Sequence, residues 1–181
     1  MERKLILGTV QFGIDYGVNN SIGKLEENQV LELFKIAHNQ GIRILDTAEV
    51  YGNAHEIIGN FHKKNDDSRF KIITKFPHSV KYNSINNKVL QYLEQLAVSS
   101  IEVLMFHSFE SFKTNYKALD SLKELKSKGS IKNIGVSVYT NEHLKQLLNE
   151  DLITVIQFPF NMLDNFNVRG DLLDQLKQKG K

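Results

Sequence analysis

Apolar and polar residues alternate along the chain in two different rhythms. Short runs rich in β-branched and aromatic residues are followed by longer segments in which apolar residues recur every three to four positions. The runs predict six strands, at 5–13, 43–52 (with its exit loop), 71–76, 101–108, 131–139 and 154–163. The segments between and after them predict helices over 25–40, 54–64, 84–97, 116–129, 141–150 and 169–180.

Six strand–helix units in a row predict a parallel sheet with crossover helices. Two architectures are compatible with this order, an open doubly wound sheet and a closed (β/α) barrel. Strands begin roughly every 30 residues, so eight units would need about 240 residues. We therefore expect the 181 residues to form one domain, over 1–181, with about six of the eight units of a barrel and incomplete at its C-terminus.

Polar residues near the carboxyl ends of the predicted strands favour the barrel. A buried parallel strand is normally almost entirely apolar, and no G-x-G-x-x-G motif follows the first strand. In a barrel such residues converge on one mouth, whereas in an open sheet they can scatter. The fold class predicted is α/β, of the (β/α)8 TIM-barrel type. The polar residues concerned are Asp46, Tyr51 (in the exit loop), Lys75, His107, Ser137 and Gln157.

Four of these residues form a plausible chemical unit. Each alone has a simpler explanation, as a cap, a packing residue or an exposed lysine, but titratable groups on several buried strands are costly unless they interact. Asp46 can pair with Lys75, and the cation beside Tyr51 is expected to lower the pKa of the phenol toward neutrality. His107 can donate to a carbonyl oxygen. The set predicts a site that polarises and protonates a carbonyl group.

Composition argues against several classes of partner and binding site. The formal net charge is +2, which gives no reason to expect a nucleic acid or an anionic membrane as partner. The chain has no cysteine, which excludes disulfides, thiol nucleophiles and cysteine-rich metal sites. The other histidines lack ligand spacing, so we expect no metal. No apolar run approaches the ~20 residues of a membrane span, and the N-terminus lacks the features of a signal peptide. We predict a cytoplasmic protein.

Several motifs carry a resemblance to a known family. The most specific is GIRILDTAEVYGNAHEIIG around the second strand, with its D-T-A-x-x-Y-G core; the others are LGTVQFG, IITKF, VLMFHS, IGVSVYTNEHLKQLL and VIQFPFNML. Together they run from about Leu5 to the last residue. In these segments the chain resembles the aldo-keto reductases.

This resemblance implies a (β/α)8 barrel that uses NADPH, or in some members NADH, to reduce aldehydes and ketones. The small-molecule carbonyl substrate would be handled by a tetrad of Asp46, Tyr51, Lys75 and His107. Tyr51 would be the general acid, tuned by Lys75 and Asp46, and His107 would orient the carbonyl.

The resemblance also implies a place for the cofactor. Gly8 and Thr9 match residues below the nicotinamide, and Asp46 lies at the same site. Ser137 and Gln157 match the residues that hold its carboxamide. At the position where the family has asparagine, the chain has Val138. Two aromatic residues, Phe12 and Tyr16, are positioned to form part of a substrate wall.

The end of the sequence leaves a second interpretation open. The family's seventh strand and the loop after its eighth supply further cofactor contacts, and neither has a counterpart here. The alternative is a catalytically inactive barrel fragment that serves as an assembly or binding module. In either case we expect open edges at the first and sixth strands, through which the chain could self-associate.

Overall fold

A computed structural model describes residues 4–181 of the chain. Six strands form one parallel sheet in the order β1-β2-β3-β4-β5-β6. The strands are β1 (Ile6–Gly8), β2 (Ile44–Asp46), β3 (Lys71–Phe76), β4 (Ile101–Phe106), β5 (Ile131–Ser137) and β6 (Ile153–Gln157).

Helices alternate with the strands and cover one face of the sheet. They are α1 (Val10–Gly13), α2 (Glu27–Asn39), α3 (Ala54–Lys64), α4 (Ile85–Gln95), α5 (Phe109–Thr114), α6 (Leu119–Ser127), α7 (Asn141–Leu147) and α8 (Phe166–Gln178). Single 3₁₀ turns lie at Asp66–Ser68, Tyr82–Ser84 and Tyr116–Ala118. Within residues 4–181, no helix is both long and apolar enough to cross a bilayer.

The strand order confirms the barrel type over the doubly wound sheet. Every strand pairs with its neighbours in sequence, whereas a doubly wound sheet reverses its order at a switch point. The sheet is also strongly curled, because the Gln157 Nε2 atom of β6 lies 3.0 Å from the Asp46 Oδ2 atom of β2. In a flat sheet, strands four places apart would be separated by about 19 Å. The six units therefore form a curved part of a barrel.

The third strand shows how an apolar sequence still has two distinct faces. Ile72 and Phe76 are fully buried in the main core between the sheet and the helices. Ile73 faces the other way, into a small cluster inside the curve of the sheet with Val103 and Met105. By the same alternation, Lys75 belongs to the inner face, which carries it toward the mouth of the barrel.

The first strand is shorter than predicted. It ends at Gly8, because residues 10–13 turn into the short helix α1. Phe12 of this helix is 3% exposed and packs edge-on against Phe34, with ring centroids 5.3 Å apart. The expectation that Phe12 forms a substrate wall is therefore wrong, since its ring belongs to the core.

The end of β6 and the starts of α5 and α8 also differ from the prediction. The sixth strand ends at Gln157 rather than continuing to residue 163, and Pro159 cannot donate to a ladder. Helix α8 begins at Phe166, where the side chain of Asn165 accepts a hydrogen bond from the Asn167 N–H at 3.0 Å. Helix α5 was not predicted, although Ser108 caps it in the same manner.

Candidate active site

A cleft of about 270 Å³ opens at the carboxyl ends of the strands. We name its two sides separately. The tetrad wall consists of Asp46, Tyr51, Lys75 and His107. The loop wall consists of Ser137, Tyr139, Gln157, Phe158 and Pro159. The structure thus brings together the six polar residues that the sequence placed near strand ends, and adds three that it did not single out.

The centre of the tetrad wall is a buried ion pair. Lys75 Nζ donates to Asp46 Oδ1, and the two side chains are 3% and 20% exposed. Lys75 also reaches the Thr47 carbonyl oxygen at 3.3 Å. The second carboxylate oxygen, Asp46 Oδ2, accepts the hydrogen bond from Gln157. The Asp46 carboxylate is thus held by Lys75 from the neighbouring strand β3 and by Gln157 from β6 across the cleft.

Tyr51 lies beside this pair. Its ring centroid is 5.8 Å from Lys75 Nζ and 6.2 Å from the ring of His107. Burial, followed by the negative charge of Asp46, raises the pKa of Tyr51 to about 12. The expected lowering of this pKa is therefore wrong here, because burial and the Asp46 carboxylate outweigh the positive charge of Lys75. The phenol is protonated at neutral pH and can donate its proton.

His107 completes the wall as a neutral imidazole. Burial lowers the pKa of His107 to about 4, and the positive charges of Lys75 and His78 act in the same direction. The His78 ring stacks on it with centroids 4.9 Å apart. Within the described part of the chain, His107 Nδ1 is buried with no hydrogen-bond partner. A neutral imidazole carries one N–H, which is suited to a carbonyl oxygen.

Two glycines bring the Tyr51 turn against the first unit. A Cβ on Gly13 would lie 1.6 Å from the Tyr51 carbonyl oxygen, and one on Gly52 would lie 2.3 Å from the Gly13 carbonyl oxygen. Gly52 also has a φ of +57°, which favours glycine. The glycine of the Y-G motif therefore allows the close backbone contact that fixes where Tyr51 stands.

A polar network behind the tetrad wall anchors the same loop. The Glu49 N–H donates to the Lys75 carbonyl oxygen at 3.1 Å. The Glu49 carboxylate accepts from Lys88 Nζ and from the hydroxyl of the fully buried Tyr92, both on α4. Burial, followed by this carboxylate, raises the pKa of Tyr92. The sequence reasoning passed over Glu49, although its place between Asp46 and Tyr51 in the motif was a usable signal.

Of the residues that the resemblance matched to cofactor binding, some line the cleft and others do not. Ser137 and Gln157 are register partners on β5 and β6 and line the cleft. Val138 is fully buried in the main core. Gly8 and Thr9 do not line the cleft: Gly8 is exposed, and Thr9 is buried with its N–H and hydroxyl donating to the Asp46 carbonyl oxygen at 3.0 and 3.1 Å. Thr9 therefore fixes the backbone that carries Asp46.

A larger groove of about 700 Å³ lies elsewhere, against α2 and α3. Its lining includes Leu31, Ile36 and Phe61 but none of the predicted site residues. Catalytic groups in (β/α) barrels lie at the carboxyl ends of the strands. The smaller cleft is therefore the candidate active site.

Comparison with known proteins decides the family. The model of the Aldo/keto reductase family matches residues 4–181. The chain belongs to the aldo/keto reductase family. This membership agrees with the resemblance read from the D-T-A-x-x-Y-G segment.

Individual relatives are distant. An NADH-specific methylglyoxal reductase of Escherichia coli is 26% identical over 182 residues, covering 87% of this chain and 56% of the relative. A crystal structure of a putative aldo-keto reductase from Pseudomonas aeruginosa has a TM-score of 0.79 at 24% identity, covering 97% of this chain and 70% of the other. An aldo-keto reductase from Klebsiella pneumoniae in complex with NADPH has a TM-score of 0.71 at 19% identity, covering 97% and 60%. The chain spans about half the length of the curated relatives it matches, from 43% to 59%.

Proposed function

We propose that the chain reduces a small aldehyde or ketone to the alcohol with NADPH or NADH, through the tetrad wall. One observation carries this proposal. A protonated tyrosine, a buried Asp–Lys pair and a neutral histidine line one cleft at the carboxyl ends of the strands. We keep the cytoplasmic location as a prediction.

Each residue has a distinct part in this reaction. When bound, a nicotinamide nucleotide would supply the hydride. His107 would donate its N–H to the carbonyl oxygen and so orient the substrate. As negative charge develops on that oxygen, Tyr51 Oη would transfer its proton to it, giving the neutral alcohol. The Lys75 ammonium, held in place by Asp46, would then stabilise the Tyr51 phenolate until it is reprotonated from solvent.

The loop wall supports the nicotinamide end of the cofactor. Gln157 Nε2 donates to Asp46, which leaves its Oε1 able to accept from a carboxamide. Ser137 is 7% exposed at the base of the cleft and offers a hydroxyl. A cleft of about 270 Å³ is small for a whole dinucleotide, so it suits the reacting ring and a small carbonyl compound. Ser137 and Gln157 are the residues we assign to the carboxamide.

The experiment is a turnover assay on the 181-residue protein. Oxidation of NADH and of NADPH is followed with methylglyoxal, the substrate named for the Escherichia coli relative, and with a panel of simple aldehydes and ketones. In Tyr51→Phe the rate should fall about 10²- to 10⁴-fold while nucleotide binding persists. The matched control is Tyr116→Phe, whose exposed hydroxyl contacts Glu150 at 3.1 Å away from the cleft.

Equal rates in Tyr51→Phe and the parent protein would contradict the role of Tyr51. Nucleotide binding without any turnover, in the parent as well as in both variants, would favour the alternative of an inactive binding fragment. Comparing the two nucleotides in the same assay also tests the expected use of NADPH against that of NADH.

A further inference from the structure

Arg169 is a charged side chain in the interior that no part of the proposed reaction uses. It lies in the first turn of α8 and is only 4% exposed. A guanidinium is rarely buried to this extent unless every part of it is paired. Its partners therefore show what it holds together.

The partners of Arg169 belong to two different loops. Nε and Nη2 donate to the two carboxylate oxygens of Asp164, each at 2.5 Å, in the loop after β6. Nη1 donates to Asn141 Oδ1 at 2.7 Å, and Nη2 donates to the Tyr139 carbonyl oxygen at 2.9 Å, both after β5. The fork of one guanidinium thus joins the start of α8 to the exits of the last two strands.

Arg169 contacts two residues of the loop wall directly. The carbonyl oxygen bound by Nη2 belongs to Tyr139, and the guanidinium carbon lies 5.6 Å from the ring centroid of Phe158. Both residues line the cleft, directly after the strand ends that carry Ser137 and Gln157. The ion pair with Asp164 ties α8 only to the loop that precedes it, whereas the bonds to Asn141 and Tyr139 tie it to the exit of β5.

We propose that Arg169 is a positioning residue that sets the loop wall, and through it the fit of the substrate and the nicotinamide in the cleft. The inference rests on the proposed function for what the cleft holds. The geometry requires arginine rather than a simple cation, because separate nitrogens of one planar group serve Asp164, Asn141 and Tyr139. A lysine has one ammonium and cannot reach both loops with the same geometry.

A fluorescence reporter tests the structural part without relying on turnover. The chain contains no tryptophan, so Phe158→Trp gives a single emitter in the loop wall. Into this parent we introduce Arg169→Lys, which keeps a charge beside Asp164, and Arg169→Gln. Both should shift the emission to longer wavelength and increase quenching by acrylamide, at a temperature where circular dichroism shows that the fold is intact.

The matched control is Arg43→Gln in the same parent. Arg43 also donates to backbone carbonyl oxygens, of His38 and Ile42, but at the end of α2. This control should leave the emission and the quenching unchanged. Unchanged emission and quenching in a folded Arg169→Lys would overturn the proposal, even if Arg169→Gln fails to fold.

The effect of Arg169 on substrate and nucleotide fit is measured with the turnover assay that depends on Tyr51, in a protein with no other substitution. Arg169→Lys should raise the KM for the carbonyl substrate or the nucleotide about tenfold, with a smaller change in kcat. A loss of kcat alone, or no change in either constant, would contradict positioning by Arg169. If no variant turns over, the proposed function fails, whereas the emission experiment still decides whether Arg169 sets the loop wall.

Discussion

The two walls of the cleft are built in different ways. The tetrad wall places three of its four residues on or directly after the adjacent strands β2, β3 and β4, and a buried ion pair stabilises it. The loop wall depends on the exits of β5 and β6, which Arg169 joins from α8. The difference indicates that the chemical groups are fixed by the barrel itself, whereas the surface facing them is fixed by a contact between loops. The following predictions test that contrast.

Breaking the ion pair of the tetrad wall should have the largest effect. Lys75→Met leaves Asp46 partly buried without its cation, so the free energy of unfolding should fall by about 3–5 kcal/mol. The measurement is denaturation in urea. The matched control is Lys132→Met, because Lys132 pairs with Glu102 at 2.9 Å on the surface and its loss should cost about 0–1 kcal/mol. Equal losses in the two variants would show that burial of the ion pair does not increase the cost of breaking it.

Sequence reasoning reached polar residues of both walls but not the interactions that fix them. Asp46, Lys75 and His107 could be predicted because a polar residue is conspicuous in an apolar strand. The direction of the Tyr51 pKa shift could not, since it depends on how deeply the ring is buried and how close Asp46 lies to it in three dimensions. Arg169 was likewise out of reach, because its meaning lies in contacts with residues 5 to 30 positions away.

The same reasoning explains the fold. Alternating strands and helices predicted a parallel sheet, the polar residues at the strand ends favoured the barrel, and the strand order confirmed it. Short helices were harder to predict, because α1 and α5 have too few residues for an apolar period to emerge. The end of β6 was misplaced because the apolar residues after it continue the strand pattern, while Phe160 and Met162 are exposed in the loop.

Removing the support behind the tetrad wall should have an intermediate effect. Tyr92→Phe deletes the buried hydroxyl that donates to the Glu49 carboxylate, which should lower the free energy of unfolding by about 1.5–3 kcal/mol. Tyr116→Phe removes a comparable bond to Glu150 from an exposed ring and should change it little. Thermal unfolding followed by circular dichroism compares the two. A Tyr92→Phe variant as stable as the Tyr116→Phe variant would argue against anchoring through Glu49.

Acid should weaken the same wall by a smaller amount. Burial lowers the pKa of His55 to about 4, and its Nε2 lies 2.8 Å from Thr74 Oγ1 behind Lys75. Between pH 6.5 and 4 the unfolded chain binds a proton on His55 that the folded chain does not. This contribution to stability is complete above pH 6.5 and is lost progressively as the pH falls from 6.5 to about 4.

The measurement is urea denaturation at several pH values. Between pH 7 and about 5.5 the loss attributable to His55 should be on the order of 1–2 kcal/mol, so a folded His55→Gln variant should show a shallower fall than the parent. His143→Gln, which alters a ring on α7 that stacks on Phe109, serves as the control. Parallel pH profiles for His55→Gln and the parent would show that His55 does not cause the loss of stability in acid.

Self-association is expected to disturb the cleft least. Within residues 4–181, β1 and β6 each have a strand neighbour on one side only, and Leu5 and Ile6 at the β1 edge are 57% and 47% exposed. We propose that the isolated chain associates through these edges. Size-exclusion chromatography with light scattering should show species above 20.8 kDa that grow with concentration. A sharp peak at that mass at all concentrations would contradict it.

Binding of a nicotinamide nucleotide in the cleft is tested by NMR on the assigned backbone amides of the protein. We expect NADH or NADPH to shift the amides of Ser137, Val138 and Gln157 and those of the Tyr51 turn, between the two walls. The amides of Leu31 and Ile36 in the larger groove against α2 and α3 should stay in place. Shifts confined to that groove, or a saturated complex with no change at the cleft, would contradict the account.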